Sequence, residues 1–270
     1  MVSRMRIARF VAGGEPAYGL VELAEDDGPN PDTVSVVSGD PLAGPVHYTG
    51  ERLALADVRL VSPVIPRSKV IGVGRNYAAH AAELGNQLPA APLLFSKPNT
   101  SVIGPGEPIV RPAETGDLHF EGELAVVIGR ICRRVPPERV ADVIFGYTIG
   151  NDVTARDLQA SDGQWTRAKG FDSFCPLGPW IVTHLSLAEA GDLELTTTLN
   201  GAPRQQGSTA DMVTPIAELV SQISAFTTLL PGDVILTGTP AGVGPMEPGD
   251  TVSVSISGIG TLSNPVVAEE

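Results

Sequence analysis

Two cysteines, Cys132 and Cys175, are too few and too far apart for a disulfide framework or a CxxC zinc knuckle. Cys175, in FDSFCPLGPW, reads as a small buried residue. Aromatic residues make up only 5% of the chain, and basic residues are scarce: 18 Lys plus Arg against 31 Asp plus Glu. The formal charge of -13 repels a phosphate backbone and argues against nucleic acid as a partner. An anionic small molecule must therefore be held by local positive charge. No apolar run reaches the roughly eighteen residues of a membrane span, and MVSRMRIARFVAGGEPAYG is broken by charge and glycine too early for a signal peptide. Internal repeats, low-complexity tracts and heptads are missing as well. A soluble, cytoplasmic protein that does not enter a membrane is expected.

Turn-forming residues are plentiful instead, with Gly 30 and Pro 24, which suggests many short strands and loops. RIARFVA and VSVV read as strands in a small β-rich N-terminal module, with a polar turn at EDDGPNPD. The two prolines of LVSPVIPRSK mark a boundary, dividing the chain into 1–65 and 66–270. KVIGVG is a compact apolar strand, followed by a helix that Asn76 can cap and Gly85 can end. Pro136 and Pro137 open a short helix before an apolar strand that ends at Asn151 and Asp152. Asn200-Gly201 favours a tight hairpin. Thr214 caps and Pro215 opens the clearest helix, VTPIAELVSQISAFTTLL. DVILTGTPAGVG is a buried strand running into a glycine-rich loop, and DTVSVSISGIG alternates as an outer strand does. Strands outnumber helices without regular alternation, so the expected class is α+β, mainly β, and not a doubly wound sheet.

The stretch HFEGELAVVIG concentrates the chemistry. Alternation puts Glu121, Glu123, Ala125 and Val127 on one face and Leu124, Val126 and Ile128 on the other, so both faces are apolar beyond the glutamates. Two readings stay open: a buried carboxylate pair that needs positive charge, or a wet strand end. Asp152, at the end of its own strand, can complete a three-carboxylate site. All-oxygen ligands select Mg²⁺ or Mn²⁺, with Ca²⁺ behind them, and zinc would want nitrogen or sulfur. Three protein ligands leave positions open for substrate oxygens.

His80 and Glu83, three apart on the predicted helix, share a face. A carboxylate beside an imidazole fixes its tautomer and raises its basicity, as a general base requires; the alternative is an ordinary exposed pair. Glu83 also sits in the last helical turn, where the dipole disfavours an acid. TGTPAGVG can offer backbone N–H groups and the Thr239 hydroxyl to an anion, although no GK[ST] follows. Lys169 and Arg156 are either carboxylate or oxyanion partners or solvated surface charges. GVGRN is an incomplete dinucleotide fingerprint, and there is no GxSxG elbow.

GRNYAAHAAELG, PLLFSKPNTSVIGPG, HFEGELAVVIG, GYTIGNDVTARDLQ, WTRAKGFDSFCPLGPW and ILTGTPAGVG, in this order, resemble the fumarylacetoacetate hydrolase family from about Lys69 to Val267. The resemblance implies a mixed β-roll, sandwich-like catalytic domain, usually dimeric, with Mg²⁺ or Mn²⁺ bound by Glu121, Glu123 and Asp152. It implies a small 2-oxo acid or diacid substrate held by Arg156, Gln159 and Thr239, and an enolate stabilised by Lys169. It also assigns His80 and Glu83 to a water-activating dyad on a mobile segment, with GNQLPAAP as its hinge. The whole is most similar to bacterial members of the 2-hydroxyhepta-2,4-diene-1,7-dioate isomerase type, from aromatic catabolism. Acylpyruvate (fumarylpyruvate) hydrolysis and oxaloacetate decarboxylation are the alternative reactions. A noncatalytic metal-binding β-domain is the alternative from another class, and it leaves Lys169 and His80 without a task.

Overall fold

The computed structural model describes residues 5–24 and 31–270. Most of the turn expected at EDDGPNPD lies outside the described residues. Three sheets organise the described residues. Across the twelve-stranded one, ten strands follow in the order His47–Ala54, Thr33–Ser38, Ala17–Glu22, Arg6–Val11, Cys175–Val182, Ile144–Asn151, Gly122–Ile128, Val234–Leu236, Val70–Gly74 and Leu93–Lys97. Arg59–Val61 and Val102–Ile103 attach beside this path. The N-terminal module is strand-rich, and its strands continue the main sheet through Arg6 opposite Val182 and Ile7 opposite Ile181.

A five-stranded sheet, which includes Glu194–Leu199, Thr251–Ile256 and Gly260–Ala268, packs onto the first. Leu124, Val126 and Ile128 share a core with Leu195, Val254, Ile256 and Leu262, while Ala125 and Val127 pack with Val70, Leu177 and Val234 on the opposite side. Both faces of the Gly122–Ile128 strand are thus covered, as its unbroken apolar run requires. Each fully buried Val, Leu or Ile contributes about 1.5–3 kcal/mol. The sheets approach closely at Gly122, where an added Cβ would lie 2.4 Å from Thr197 Oγ1 and 2.9 Å from Val254 Cγ1. Only glycine fits between the two glutamates.

Several local expectations hold. Asn200 and Gly201 take φ of 52° and 78° between paired strands, the conformation of a tight two-residue turn. Thr251–Ile256 alternates between buried positions and exposed or partly exposed ones. Others need correction. HFEGELAVVIG is not one strand: Leu118–Phe120 belongs to a separate three-stranded sheet, and pairing resumes at Gly122. The first helix covers Ala78–Glu83 with Tyr77 at its N-cap, so Asn76 does not cap it. The Asn76 amide instead donates to the carbonyls of Thr214 (3.1 Å) and Thr237 (2.8 Å), and its Oδ1 accepts from Thr214 N (2.8 Å). Pro215 occupies the N-cap of Ile216–Phe226, and Thr214 makes no side-chain cap there. The Asn76 side chain is thus taken by distant backbone, and the Thr214 backbone is taken by that same side chain. The Pro137–Asp142 segment is a 3₁₀ helix. Among the described residues no helix is long and apolar enough to cross a membrane.

Candidate active site

Register assembles the acids. Gly122 pairs with Asn151 and Glu123 with Gly150, which brings Asp152 beside the strand break at Glu121. Asp152 N donates to Glu121 O at 2.8 Å, and Glu121 N donates to Asn151 Oδ1 at 2.9 Å. Glu121, Glu123 and Asp152 are all buried, and each offers a carboxylate oxygen within 4.8 Å of the others. The wet-end reading of the glutamates is therefore overturned.

Three cations surround them. Lys169, on the short helix Thr166–Gly170, points its Nζ at Glu121 Oε2 (2.9 Å), Asp152 Oδ2 (2.6 Å) and Thr154 Oγ1 (2.8 Å). Arg156 bonds Glu121 and, at 2.9 Å, Gln159 Oε1. Lys97 Nζ lies 2.5 Å from Asp152 Oδ1, and its side chain is fully buried. The surface-charge readings of Lys169 and Arg156 fail with this. Lys97 was missed by sequence reasoning; its one signal is a lysine closing an apolar strand in PLLFSKP.

Burial penalises every charge here, and the neighbours decide the outcome. Burial works against a charged Glu121, yet Arg156, Lys169 and His80 hold its carboxyl well below the usual range. Lys169 is likewise opposed by burial, but Asp152 and Glu121 raise it above the ordinary lysine value. Glu123 goes the other way: burial first, then the charges of Asp152 and Glu121, push its carboxyl well above 4.5. Among the described residues it forms no ion pair, and its recorded partner is Gly238 N at 2.7 Å. The site thus ends in a carboxyl whose ionisation calls for further positive charge. Three convergent carboxylates fit a hard divalent cation such as Mg²⁺ or Mn²⁺.

A cavity of about 270 Å³ opens above the acids, lined among others by Arg75, His80, Gln159, Trp165 and Thr239. His80 Nδ1 faces Glu83 Oε2 at 3.3 Å, with His80 buried and the Glu83 side chain 34% exposed. Gly242 N donates to both Glu83 oxygens, at 3.0 and 3.2 Å, which answers the unfavourable place of an acid at a helix end. The N–H groups of the glycine-rich loop do engage acids, but these are this chain's own side chains: Gly242 takes Glu83 and Gly238 takes Glu123. Thr239 Oγ1 donates to Gly122 O and accepts from Gln205 Nε2. It lines the cavity with its hydroxyl already engaged. Residues 85–92, between this helix and the Leu93–Lys97 strand, form no helix or strand.

The family described as fumarylacetoacetate (FAA) hydrolase C-terminal matches residues 69–267. The chain belongs to the fumarylacetoacetate hydrolase family. A second family, described as Rv2993c-like, N-terminal, matches residues 5–63. Protein Rv2993c of Mycobacterium tuberculosis is 55% identical, over 97% of this chain and 98% of its own length. Oxaloacetate tautomerase YcgM of Escherichia coli is 43% identical over 72% of this chain and 90% of its own. Among solved structures, 2-hydroxyhepta-2,4-diene-1,7-dioate isomerase from Mycobacterium marinum superposes with a TM-score of 0.88 at 51% identity, covering 98% of this chain and 99% of the other. Maleylpyruvate hydrolase from Sphingobium, in complex with manganese and pyruvate, has a TM-score of 0.79 at 32% identity, over 98% and 100% of the two chains. The family thus includes isomerase, hydrolase and tautomerase relatives around one fold.

Proposed function

We propose that the protein is a cytoplasmic Mg²⁺- or Mn²⁺-dependent enzyme, working as a homodimer, that interconverts keto and enol forms of a small 2-oxo diacid. The 2-hydroxyhepta-2,4-diene-1,7-dioate isomerase type is the leading case. The carrying observation is the buried Lys169, held protonated at the floor of a cavity whose wall carries the His80–Glu83 pair. A divalent ion bound by Glu121, Glu123 and Asp152 would polarise the 2-oxo group. Lys169 supplies a fixed positive charge to the oxygen on which negative charge develops, in a site where few waters can screen it. Glu83 takes the Nδ1 side of His80 and leaves Nε2 as the nitrogen that exchanges a proton with substrate carbon. Ile131 and Phe226, 71% and 61% exposed, lie on segments joined by Cys132 N to Leu229 O and by Arg133 to Ala225 O. They offer an apolar surface that a second copy can cover.

Acylpyruvate hydrolysis is the second reading, favoured by the same dyad with water in place of substrate carbon and by the likeness to maleylpyruvate hydrolase. The Mn²⁺-supplemented protein is to be assayed on oxaloacetate enolisation and on acetylpyruvate and fumarylpyruvate cleavage, with kcat/KM compared. Enolisation is expected to dominate, and His80→Ala should lower it by about 10²-fold. Cleavage exceeding enolisation, with His80→Ala abolishing cleavage alone, would transfer the dyad to water activation. No turnover of any 2-oxo acid would reject both readings.

A further inference from the structure

Two of the cations at the cavity are already committed, Lys169 to Glu121 and Asp152, and Arg156 to Glu121. Arg75 is different. It lines the same cavity and also a neighbouring one of about 320 Å³, yet among the described residues its guanidinium makes no ion pair and no hydrogen bond. Its recorded contact is with an aromatic face: Arg75 Cζ stands 5.9 Å from the centroid of Trp165.

That placement is enforced from three sides. Arg75 adopts φ of 58°, a left-handed conformation that a side-chain-bearing residue keeps only when its surroundings impose it. Asn76, the next residue, is buried and locked by its three hydrogen bonds to the backbone of Thr214 and Thr237. Gly74, the residue before, lets Trp165 approach so closely that an added Cβ would lie 2.5 Å from the indole. Phe95 then supports Trp165 edge-on at 5.5 Å. Lys169 Nζ lies 5.9 Å from the same indole centroid, so the two positive charges are at most twice that distance apart. One charge serves the acid cluster and the other faces open cavity.

We infer that Arg75 is a specificity-determining residue that binds the distal carboxylate of a dicarboxylic substrate whose 2-oxo acid end lies at the Glu121–Glu123–Asp152 cluster. This rests on the 2-oxo acid reading of the cavity. A protein of formal charge -13 repels a dianion, so selection of a second carboxylate needs an uncommitted local cation. Arginine supplies it in a planar, forked form that pairs two N–H groups with two carboxylate oxygens. The Trp165 face orients the fork while leaving its edge free.

Calorimetry with Mn²⁺-supplemented protein tests this with L-malate and L-lactate, which share a 2-hydroxy acid head and differ in the distal carboxylate. Neither needs to react. Wild-type protein is expected to bind malate at least about tenfold more tightly than lactate, the size of one charge-assisted hydrogen bond. Arg75→Asn should erase that preference and leave lactate affinity unchanged, since asparagine tolerates the left-handed backbone. Arg75→Lys should restore part of it. Equal weakening of both ligands in Arg75→Asn, a malate preference that survives the substitution, or a wild-type protein that binds malate no better than lactate would each overturn the assignment. A preference that depends on Arg75 in a protein that turns over no 2-oxo acid would keep this subsite and reject the reaction proposed above.

Discussion

Lys169→Met is expected to lower kcat by about 10²- to 10³-fold on whichever 2-oxo acid is turned over, with a much smaller change in KM. The ammonium charge matters most when the enolate forms, so its loss belongs to the chemical step. The substitution also removes a buried partner from Glu121 and Asp152. Breaking a buried ion pair from one side typically costs about 3–5 kcal/mol. Here Arg156 still faces Glu121 and Lys97 still faces Asp152, so the cost should fall at the low end of that range. Chemical denaturation of the same preparation separates the two effects. A folded variant with unchanged kcat and raised KM would make Lys169 a binding residue.

Glu123→Gln should weaken Mn²⁺ binding by more than about 100-fold, beyond what loss of a residue behind the ligands costs, and yet stabilise the metal-free protein above neutral pH. The sign follows from the raised carboxyl. An unfolded chain releases the Glu123 proton near 4.5, whereas the folded protein holds it well above that, because of burial and of Asp152 and Glu121. Between those values the folded state carries the extra proton, so metal-free stability falls as pH rises. Glutamine has no proton to lose and removes that slope, while its amide oxygen can still accept from Gly238 N. Thermal unfolding with and without Mn²⁺, across pH 6 to 9, is the measurement. Wild-type protein should gain stability on adding the ion and the variant should not. Equal Mn²⁺ affinity in calorimetry would remove Glu123 from the donor set.

What the sequence made legible is whatever depends on near neighbours. The alternation of HFEGELAVVIG set Ala125 and Val127 apart from Leu124 and Val126, and the two groups do face different cores. Asn200-Gly201 needs only its own backbone preferences to turn. The triad was legible in composition, but its closure depends on the register between the successive strands Gly122–Ile128 and Ile144–Asn151, which spacing alone does not fix. Lys97 escaped because nothing near it in sequence tells that it ends at Asp152. Residue type suggests local capping roles for Asn76 and Thr214, whereas the Asn76 side chain bonds the backbone of Thr214 and of Thr237. The break at Glu121 was hidden for a related reason. A run of apolar residues does not reveal where one sheet hands over to another.

The seam between Arg6–Val11 and Cys175–Val182 carries a further consequence, for solubility. Cys175–Val182 is buried along its whole length, and its outer side is covered by the N-terminal strand and by Val102–Ile103. A chain cut to residues 66–270 would leave the Ile181–Val182 end with unpaired N–H and C=O groups beside apolar side chains, the template that invites strand addition from another molecule. Such a truncated protein should therefore self-associate, and light scattering should show it growing with concentration. The N-terminal strands act in this sense as a guard against polymerisation, whatever else they contribute.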